Sequence, residues 1–164
     1  MATKRIPVYG GLKPDASGSV FAEPSAIKLT NDLYNNMVWV FNDAGSKLSL
    51  STRFMVPKDY VQTPKIVLVW ATSVTSGTVQ WDIDYRAIAD TESFDPTTHQ
   101  ESVNSGTVTV AGTTFLEKVT SIALTSANLA VDDVVDMLIS CDTAVDSAAV
   151  AVLLIWAAFE YADA

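Results

Sequence analysis

Apolar and polar side chains alternate along several stretches of this chain, and Gly, Pro, Asn, Asp and Ser separate the stretches. In Gln80–Arg86, the apolar residues Trp81, Ile83 and Tyr85 occupy every second position, with charged residues between them. A period of two residues is typical of a β-strand that buries one face, whereas a helix repeats every 3.6 residues or so. The pattern therefore predicts short strands joined by turns.

Nine segments show this alternation, or the β-branched and aromatic composition that is typical of strands. They are Ala26–Asp32, Met37–Asn42, Lys47–Val56, Lys65–Val74, Thr78–Ile88, Thr107–Val110, Phe115–Thr125, Val134–Asp142 and Ala148–Tyr161. Many short strands with regularly spaced turns indicate an all-β sandwich or barrel. Helical turns are expected only at Leu129–Asp133 and Asp95–Gln100, so helix should account for less than about a tenth of the chain.

The last predicted strand is apolar on both of its alternating faces. One face would hold Val150, Val152, Leu154 and Trp156, and the other Ala149, Ala151, Leu153, Ile155 and Phe159. A strand of a two-sheet sandwich needs only one apolar face, so something must cover the second. The N-terminal segment or a long loop is one candidate cover, and a neighbouring subunit is another. The apolar run Ala148–Phe159 is too short for a membrane-spanning helix, which needs about 20 residues.

Proline and glycine interrupt the first part of the chain, at Pro7, Gly10, Pro14 and Pro24 among other positions. Such residues prevent a helix and disfavour a central strand. The sequence therefore predicts an extended N-terminal arm over residues 1–24, followed by a β-sandwich domain over residues 25–164.

Charge is divided unevenly between the two ends of the chain. Residues 1–70 carry a net formal charge of +3, and residues 71–164 carry −12. An acidic body argues against binding to nucleic acid, which requires a basic surface. Residues of the arm and of the closing strand are instead candidates for contact with a protein partner. They are Lys4, Arg5, Tyr9, Lys13, Leu153 and Ile155.

The usual catalytic groups are scarce. His99 is the only histidine and lies in a polar loop, and Cys141 is the only cysteine, in an apolar stretch that indicates a buried thiol. Zinc sites of the Cys/His type and an internal disulfide are therefore excluded. The glycine motifs of phosphate and dinucleotide sites are also absent. The sequence predicts no enzymatic activity, no cofactor and no metal.

Carboxylates and aromatic rings leave alternatives open. The carboxylates cluster at Asp82 and Asp84, in Asp90–Asp95 and in Asp132–Asp136. They are interpreted as a solvated sheet face, as a cation site or as a catalytic pair, and the lack of EF-hand spacing favours the solvated face. Most aromatic residues fall on faces assigned to the core, which disfavours an exposed platform for sugar rings.

An ordered series of segments carries a resemblance to a known group of proteins. A strand ends in a proline turn at Phe54–Tyr60, and Ile66–Trp70, Ser76–Tyr85, Asp90–Ser93 and Val131–Ile139 follow before the apolar closing strand. This order resembles the jelly-roll β-sandwich virion structural proteins of tailed bacteriophages, of the capsid-decoration or head-fibre type.

The resemblance covers roughly residues 48–161. It implies an antiparallel jelly-roll β-sandwich, a homo-oligomer that is most often a trimer, and an N-terminal arm that reaches a neighbouring subunit or the major capsid protein. It also implies a place in the virion, assembled in the host cytoplasm, and it supplies no catalytic residues.

Two functions follow as expectations. The leading one is a non-enzymatic virion structural protein that decorates or cements a capsid. The alternative is a carbohydrate-binding receptor module of a phage fibre or tail. Neither involves a membrane.

Overall fold

A computed structural model describes residues 1–14, 22–29, 36–95 and 97–164 of the chain. These residues form eleven strands, and single 3-10 turns occur at Tyr9–Gly11 and Ser126–Asn128. The strands are β1 (Thr3–Pro7), β2 (Lys13–Pro14), β3 (Glu23–Ile27), β4 (Asn36–Phe41), β5 (Lys47–Met55), β6 (Tyr60–Thr72), β7 (Thr78–Ile88), β8 (Glu101–Thr109), β9 (Lys118–Ala123), β10 (Val134–Asp142) and β11 (Val152–Asp163). Within these described ranges, no helix has the length and apolar character needed to cross a membrane.

The strands form two antiparallel sheets. The six-stranded sheet has the order β3-β4-β11-β6-β9, and β1 also pairs with β11. The five-stranded sheet has the order β2-β5-β10-β7-β8. The prediction of an all-β antiparallel sandwich is confirmed.

The core lies between the two sheets and is built from the alternating inward positions of their strands. Its largest fully buried side chains are Trp70, Trp81, Tyr85, Phe41, Phe159, Leu48, Leu50, Ile66, Leu68, Ile83, Ile139 and Leu154. Phe41 meets Trp81 edge to face, with ring centroids 5.1 Å apart. Trp70 donates a hydrogen bond from Nε1 to Thr120 Oγ1 over 2.9 Å, which satisfies its buried N–H group. The expectation that most of the aromatic rings belong to the core is correct for these residues.

The closing strand β11 differs from the prediction that both of its faces are buried. A register shift between Leu154 and Trp156 interrupts its pairing with β6. Such a bulge inserts one residue and reverses the alternation after it. Phe159 therefore lies on the inner face with Leu154, whereas Trp156 turns outward. The outer face is half-buried at Leu153, Ile155 and Trp156, whereas Ala158 farther along it is fully buried, so the prediction is wrong only for the first part of the strand.

The N-terminal residues pack against the sandwich of their own chain. β1 pairs with the C-terminal half of β11, and Val8 N donates to Ala157 O over 3.0 Å. Val8 and Leu12 are buried in the core, and β2 pairs with β5. This segment thus covers one edge of β11. The sandwich begins before the predicted boundary at residue 25, because β3 starts at Glu23 and both short N-terminal strands belong to its sheets.

Two other boundaries, those of β8 and β6, depend on pairing rather than on local pattern. β8 spans Glu101–Thr109, well ahead of the predicted start at Thr107, because its polar residues pair with β7. β6 includes Pro64, which lies at an irregularity in the pairing with β11, where no ladder hydrogen bond from its nitrogen is required. The helical turns predicted at 129–133 and 95–100 do not form in the residues described, and Pro96 lies outside them.

Candidate functional site

The outer face of the five-stranded sheet carries a groove of about 850 Å³. Its floor is formed by β5, β10 and β7, and its two walls are the segment before β2 and the connection between β7 and β8. The lining residues are Gly11, Lys13, Ser51, Thr52, Arg53, Asp84, Arg86, Thr97, Thr98, His99, Asp136, Met137 and Leu138. We refer to this depression as the groove.

Strand register places the polar side chains of the floor side by side. Arg53, Asp136 and Arg86 lie opposite one another across β5, β10 and β7. Residues that are paired across antiparallel strands point to the same side of a sheet, so these three side chains form one charged row. Ser51 and Asp84 flank Leu138 in the next row of the same face.

Both walls are fixed to the floor. On the β8 side, Gln100 donates from its backbone N to Tyr85 O over 2.9 Å and accepts at Oε1 from Ala87 N over 3.0 Å. This anchors the connection directly after His99. On the β2 side, the 3-10 turn lies so close to the floor that a Cβ atom on Gly11 would be 3.2 Å from Thr52 Oγ1.

Ion pairs neutralise the two carboxylates among the described lining residues of the groove. Arg53 binds Asp136 with two nitrogens, and its Nη2–Oδ2 distance is 2.8 Å. Lys47 bridges Asp82 and Asp84, with Nζ–O distances of 3.1 Å and 3.0 Å. Asp82 is 8% exposed, so the interpretation of this pair as a fully solvated face is wrong.

The pKa of Asp84 reflects these contacts. Burial alone would raise this pKa, but hydrogen bonds from Ser102 and Lys47 favour the ionised carboxylate and hold the pKa below its ordinary value. Burial of Lys47 likewise acts to lower its pKa, and the hydrogen bonds to Asp84 and Asp82 outweigh burial and raise it. Asp84 is therefore ionised at neutral pH.

We expect Lys47→Met to lower the melting temperature at pH 7, and the deficit relative to the parent to shrink as the pH falls towards 4. Without Lys47, burial and the nearby carboxylate of Asp82 act to raise the pKa of Asp84, so protonation of Asp84 removes the cost of burying its charge. In the parent, the depressed pKa of Asp84 gives a contribution that is present above about pH 4 and is lost as pH falls through the folded-state pKa. Thermal melts between pH 4 and 8 measure the difference, with Lys58→Met in an exposed turn as control. A deficit that does not change with pH contradicts the role of Lys47.

Among the described residues, aromatic side chains are nearly absent from this face. Trp81 and Tyr85 of β7 point into the core, and the groove lining includes no Phe, Tyr or Trp among the residues that the structure describes. A smaller depression of about 310 Å³ adjoins the groove and shares Arg53 with it. Phe94 lines this second depression and is 76% exposed. Of the described aromatic rings on this face, it is the one that most resembles an exposed stacking platform.

The structure separates the residues that the sequence selected for partner binding. Lys4 forms ion pairs with Asp59 and Asp163, and Arg5 binds Glu160 over 2.6 Å. Tyr9 Oη donates a hydrogen bond to Met37 O over 2.8 Å. Lys13 instead lines the groove. Leu153 and Ile155 lie half-buried on the outer face of the six-stranded sheet. Their role in partner binding stays a prediction.

Sequence reasoning did not single out Arg53, Arg86 or Phe94. Arg86 was assigned only to the charged face of its strand, and Arg53 was assigned no role. Phe94 lies in a connection that was considered for its carboxylates. The one available signal was Phe94 itself, an aromatic residue in a strongly polar loop.

The remaining candidates from the sequence are a metal site and a reactive cysteine. In the described part of the chain, no three His, Cys, Asp or Glu side chains come together to hold a metal ion. Cys141 is buried in the core, and burial raises the pKa of its thiol, as expected for a structural cysteine.

Solved structures share this architecture along nearly the whole chain. A family 35 carbohydrate-binding module from Cellvibrio japonicus matches with a TM-score of 0.53 and 9% identity, covering 99% of both chains. The family 11 module of a Clostridium thermocellum cellulosomal cellulase gives 0.52 and 8%, covering 99% of this chain and 95% of that one. A family 28 module specific for non-crystalline cellulose gives 0.56 and 12%, covering 93% and 89%. The fold is a jelly-roll β-sandwich.

A longer protein also contains this fold. An arabinose-bound α-L-arabinofuranosidase matches with a TM-score of 0.53 and 13% identity over 92% of this chain, which spans only 23% of that enzyme. By sequence, no protein-family model matches the chain, and no curated protein matches it.

Proposed function

We propose that the chain is a non-enzymatic carbohydrate-binding module and that the groove is its binding face. The observation that carries this proposal is the groove on a fold that is shared, almost end to end, with several carbohydrate-binding modules. The groove is large enough for a small ligand, since typical sites measure about 300–1,000 Å³. Its walls and floor come from separate parts of the chain and are held by hydrogen bonds, so it is formed before a ligand arrives.

The lining matches the chemistry of a sugar. Hydroxyl groups of Ser51, Thr97 and Thr98 both donate and accept hydrogen bonds, as sugar hydroxyls do. Phe94 offers an exposed ring beside the groove, against which the apolar face of a sugar ring packs. Recognition would depend mainly on polar contacts, because stacking is limited to the edge of the site.

Hydrolysis is not part of the proposal. A glycosidase needs one carboxyl group that is protonated near neutral pH and a second that acts as a base or nucleophile. In the groove, Asp136 is bound by Arg53, and the pKa of Asp84 is held low by Ser102 and Lys47. The contacts of Asp84 favour its ionised form, and Asp136 is already engaged by Arg53, so neither described carboxyl group is placed to act as a general acid.

Glycan binding by the full chain tests this proposal. An array of bacterial and plant polysaccharides identifies a binding glycan, and calorimetry then gives its dissociation constant. We expect Phe94→Ala to weaken binding by about tenfold, the value of one lost stacking contact. Phe115→Ala removes another exposed aromatic ring and should leave affinity unchanged, because Phe115 does not line the groove. Failure to bind any glycan contradicts the proposal.

A second candidate function is a virion structural module that assembles with itself and with the major capsid protein or another virion protein. An apolar stripe on the outer face of the six-stranded sheet favours it. Trp156, Val69 and Val119 lie in one row across β11, β6 and β9, and Val119 is 61% exposed. Apolar surface of this kind marks interfaces. Light scattering tests self-association, which a particle of 17.6 kDa would contradict.

The two candidates are compatible in a fibre or tail of a tailed phage, the setting that the sequence resemblance suggests. There the stripe would join subunits, most simply as a trimer, while the groove on the opposite side of the sandwich would meet a surface glycan of the host.

A further inference from the structure

We infer that the ligand of the groove is an acidic glycan with carboxylates on more than one sugar unit, and that Arg86 and Lys13 recognise these carboxylates. The inference rests on the proposed function, because it names the class of glycan for the same site. Four features of the groove carry it.

The first feature is the sign of the charge. Among the described residues, three formal positive charges and two negative ones line the groove, whereas the whole chain carries −9. An acidic protein repels anions over most of its surface, so a patch where cations outnumber carboxylates attracts an anionic ligand to one place.

The second feature is the pairing of these charges. Arg53 is engaged by Asp136, and Asp84 is engaged by Lys47. The cations left over are Lys13 and Arg86, whose side chains have no ion-pair or hydrogen-bond partner within residues 1–14, 22–29, 36–95 and 97–164. The surplus charge of the groove is therefore located on two specific residues.

The third feature is the state of the Arg86 guanidinium. Its Nε atom is shielded from solvent and has no acceptor among the described residues. A shielded N–H group without an acceptor is costly, and a ligand oxygen that accepts from it removes this cost. The neighbouring carboxylate of Asp136 is already held by two nitrogens of Arg53 from the other side. A planar group with two oxygens fits the guanidinium fork better than a hydroxyl does.

The fourth feature is the separation of the two cations. Arg86 projects from β7 and Lys13 from β2, and β10 and β5 lie between these strands. Three strand spacings separate the two backbones by about 14 Å. One carboxylate therefore contacts one of these cations, and a ligand that uses both carries at least two. A linear chain of carboxylated sugars provides this repeat, and it lies along the polar floor between them.

Calorimetry with a matched pair of probes tests the inference. The probes are an oligogalacturonate and the same oligosaccharide with its carboxyl groups reduced to alcohols, each titrated into the full chain at low and moderate salt. We expect the acidic probe to bind at least ten times more tightly than the reduced one, with an affinity that falls as salt rises.

Variants assign the effect to residues. Arg86→Gln should weaken binding of the acidic probe at least tenfold, and Arg86→Lys should restore only part of it, because a lysine lacks the planar fork. Lys13→Gln should weaken binding about threefold and reduce its salt dependence. This variant should fold like the parent, because Lys13 is exposed and unpaired within the described residues. Lys58→Gln, an exposed lysine outside the groove, should bind like the parent.

The outcomes separate this inference from the proposed function. Equal affinity for the acidic and reduced probes overturns the inference and leaves the binding module intact. Full restoration by Arg86→Lys, together with equal binding of a sulfated dextran, shows general attraction of anions and overturns the carboxylate assignment. Absence of binding to these probes and to every glycan on the array overturns the proposed function itself.

Discussion

Leu154→Asp is expected to abolish stable folding, whereas Leu153→Asp, one position earlier on the same strand, is expected to leave a folded protein. Leu154 has no exposed surface and lies in the core, opposite Trp39 and Trp70 on the neighbouring strands. An unpaired carboxylate at that position costs at least about 4 kcal/mol, a large part of the stability of a typical domain.

Leu153 points to the other side of the sheet and is only half-buried. A carboxylate there reaches water, so the expected cost is about 1–2 kcal/mol. Urea unfolding followed by tryptophan fluorescence measures both values, and the neighbouring Leu153 variant is the control for a change of charge on β11. Equal losses for the two variants would mean that the outer face is buried as deeply as the core, as the sequence alone had predicted.

Gly77→Ala should destabilise the protein by at least about 3 kcal/mol, through strain and overlap rather than lost contacts. Gly77 has a φ angle of +105°, which side chains other than glycine rarely adopt. An added Cβ atom would lie 2.7 Å from Ser147 O and 2.8 Å from Ala148 Cα, both in the backbone of the connection between β10 and β11. Neither atom can move without breaking the hydrogen bonds from Ser147 N and Ala148 N to Thr78 O.

Gly112→Ala is the matched control. Nothing lies within 4 Å of the Cβ atom that this change would add, and the backbone there does not require glycine. Its unfolding free energy should stay within about 0.5 kcal/mol of the parent. Thermal melts of both variants check the prediction, and a Gly77→Ala protein as stable as Gly112→Ala would show that the two connections do not approach closely.

The candidate site illustrates how far a sequence can be read for function. Lys13 was selected from the sequence, but for contact with a protein partner, and it lies in the groove instead. Arg53, Arg86 and Asp136 belong to three strands that are distant along the chain and adjacent in the sheet. Their row exists only because β10 inserts between β5 and β7, and no local pattern indicates that order.

The sequence by itself determined the all-β character, the middle strands and the turn at Gly77. These depend on short-range properties: alternation of side chains about the strand axis and the backbone freedom of glycine. β7 and β10 were predicted with the bounds that the structure has, because each alternates cleanly over its whole length.

Only the tertiary structure decided the rest. The bulge before Trp156 moved Phe159 into the core, since a shift of one residue exchanges the faces of everything that follows. The polar residues of β8 became a strand because β7 supplied its hydrogen bonds, and the N-terminal segment became two strands because β11 and β5 had free edges. The groove arose in the same way. Strand order and register bring together side chains that are remote in sequence, and long-range pairing is a property of the assembled sheets that a local pattern does not contain.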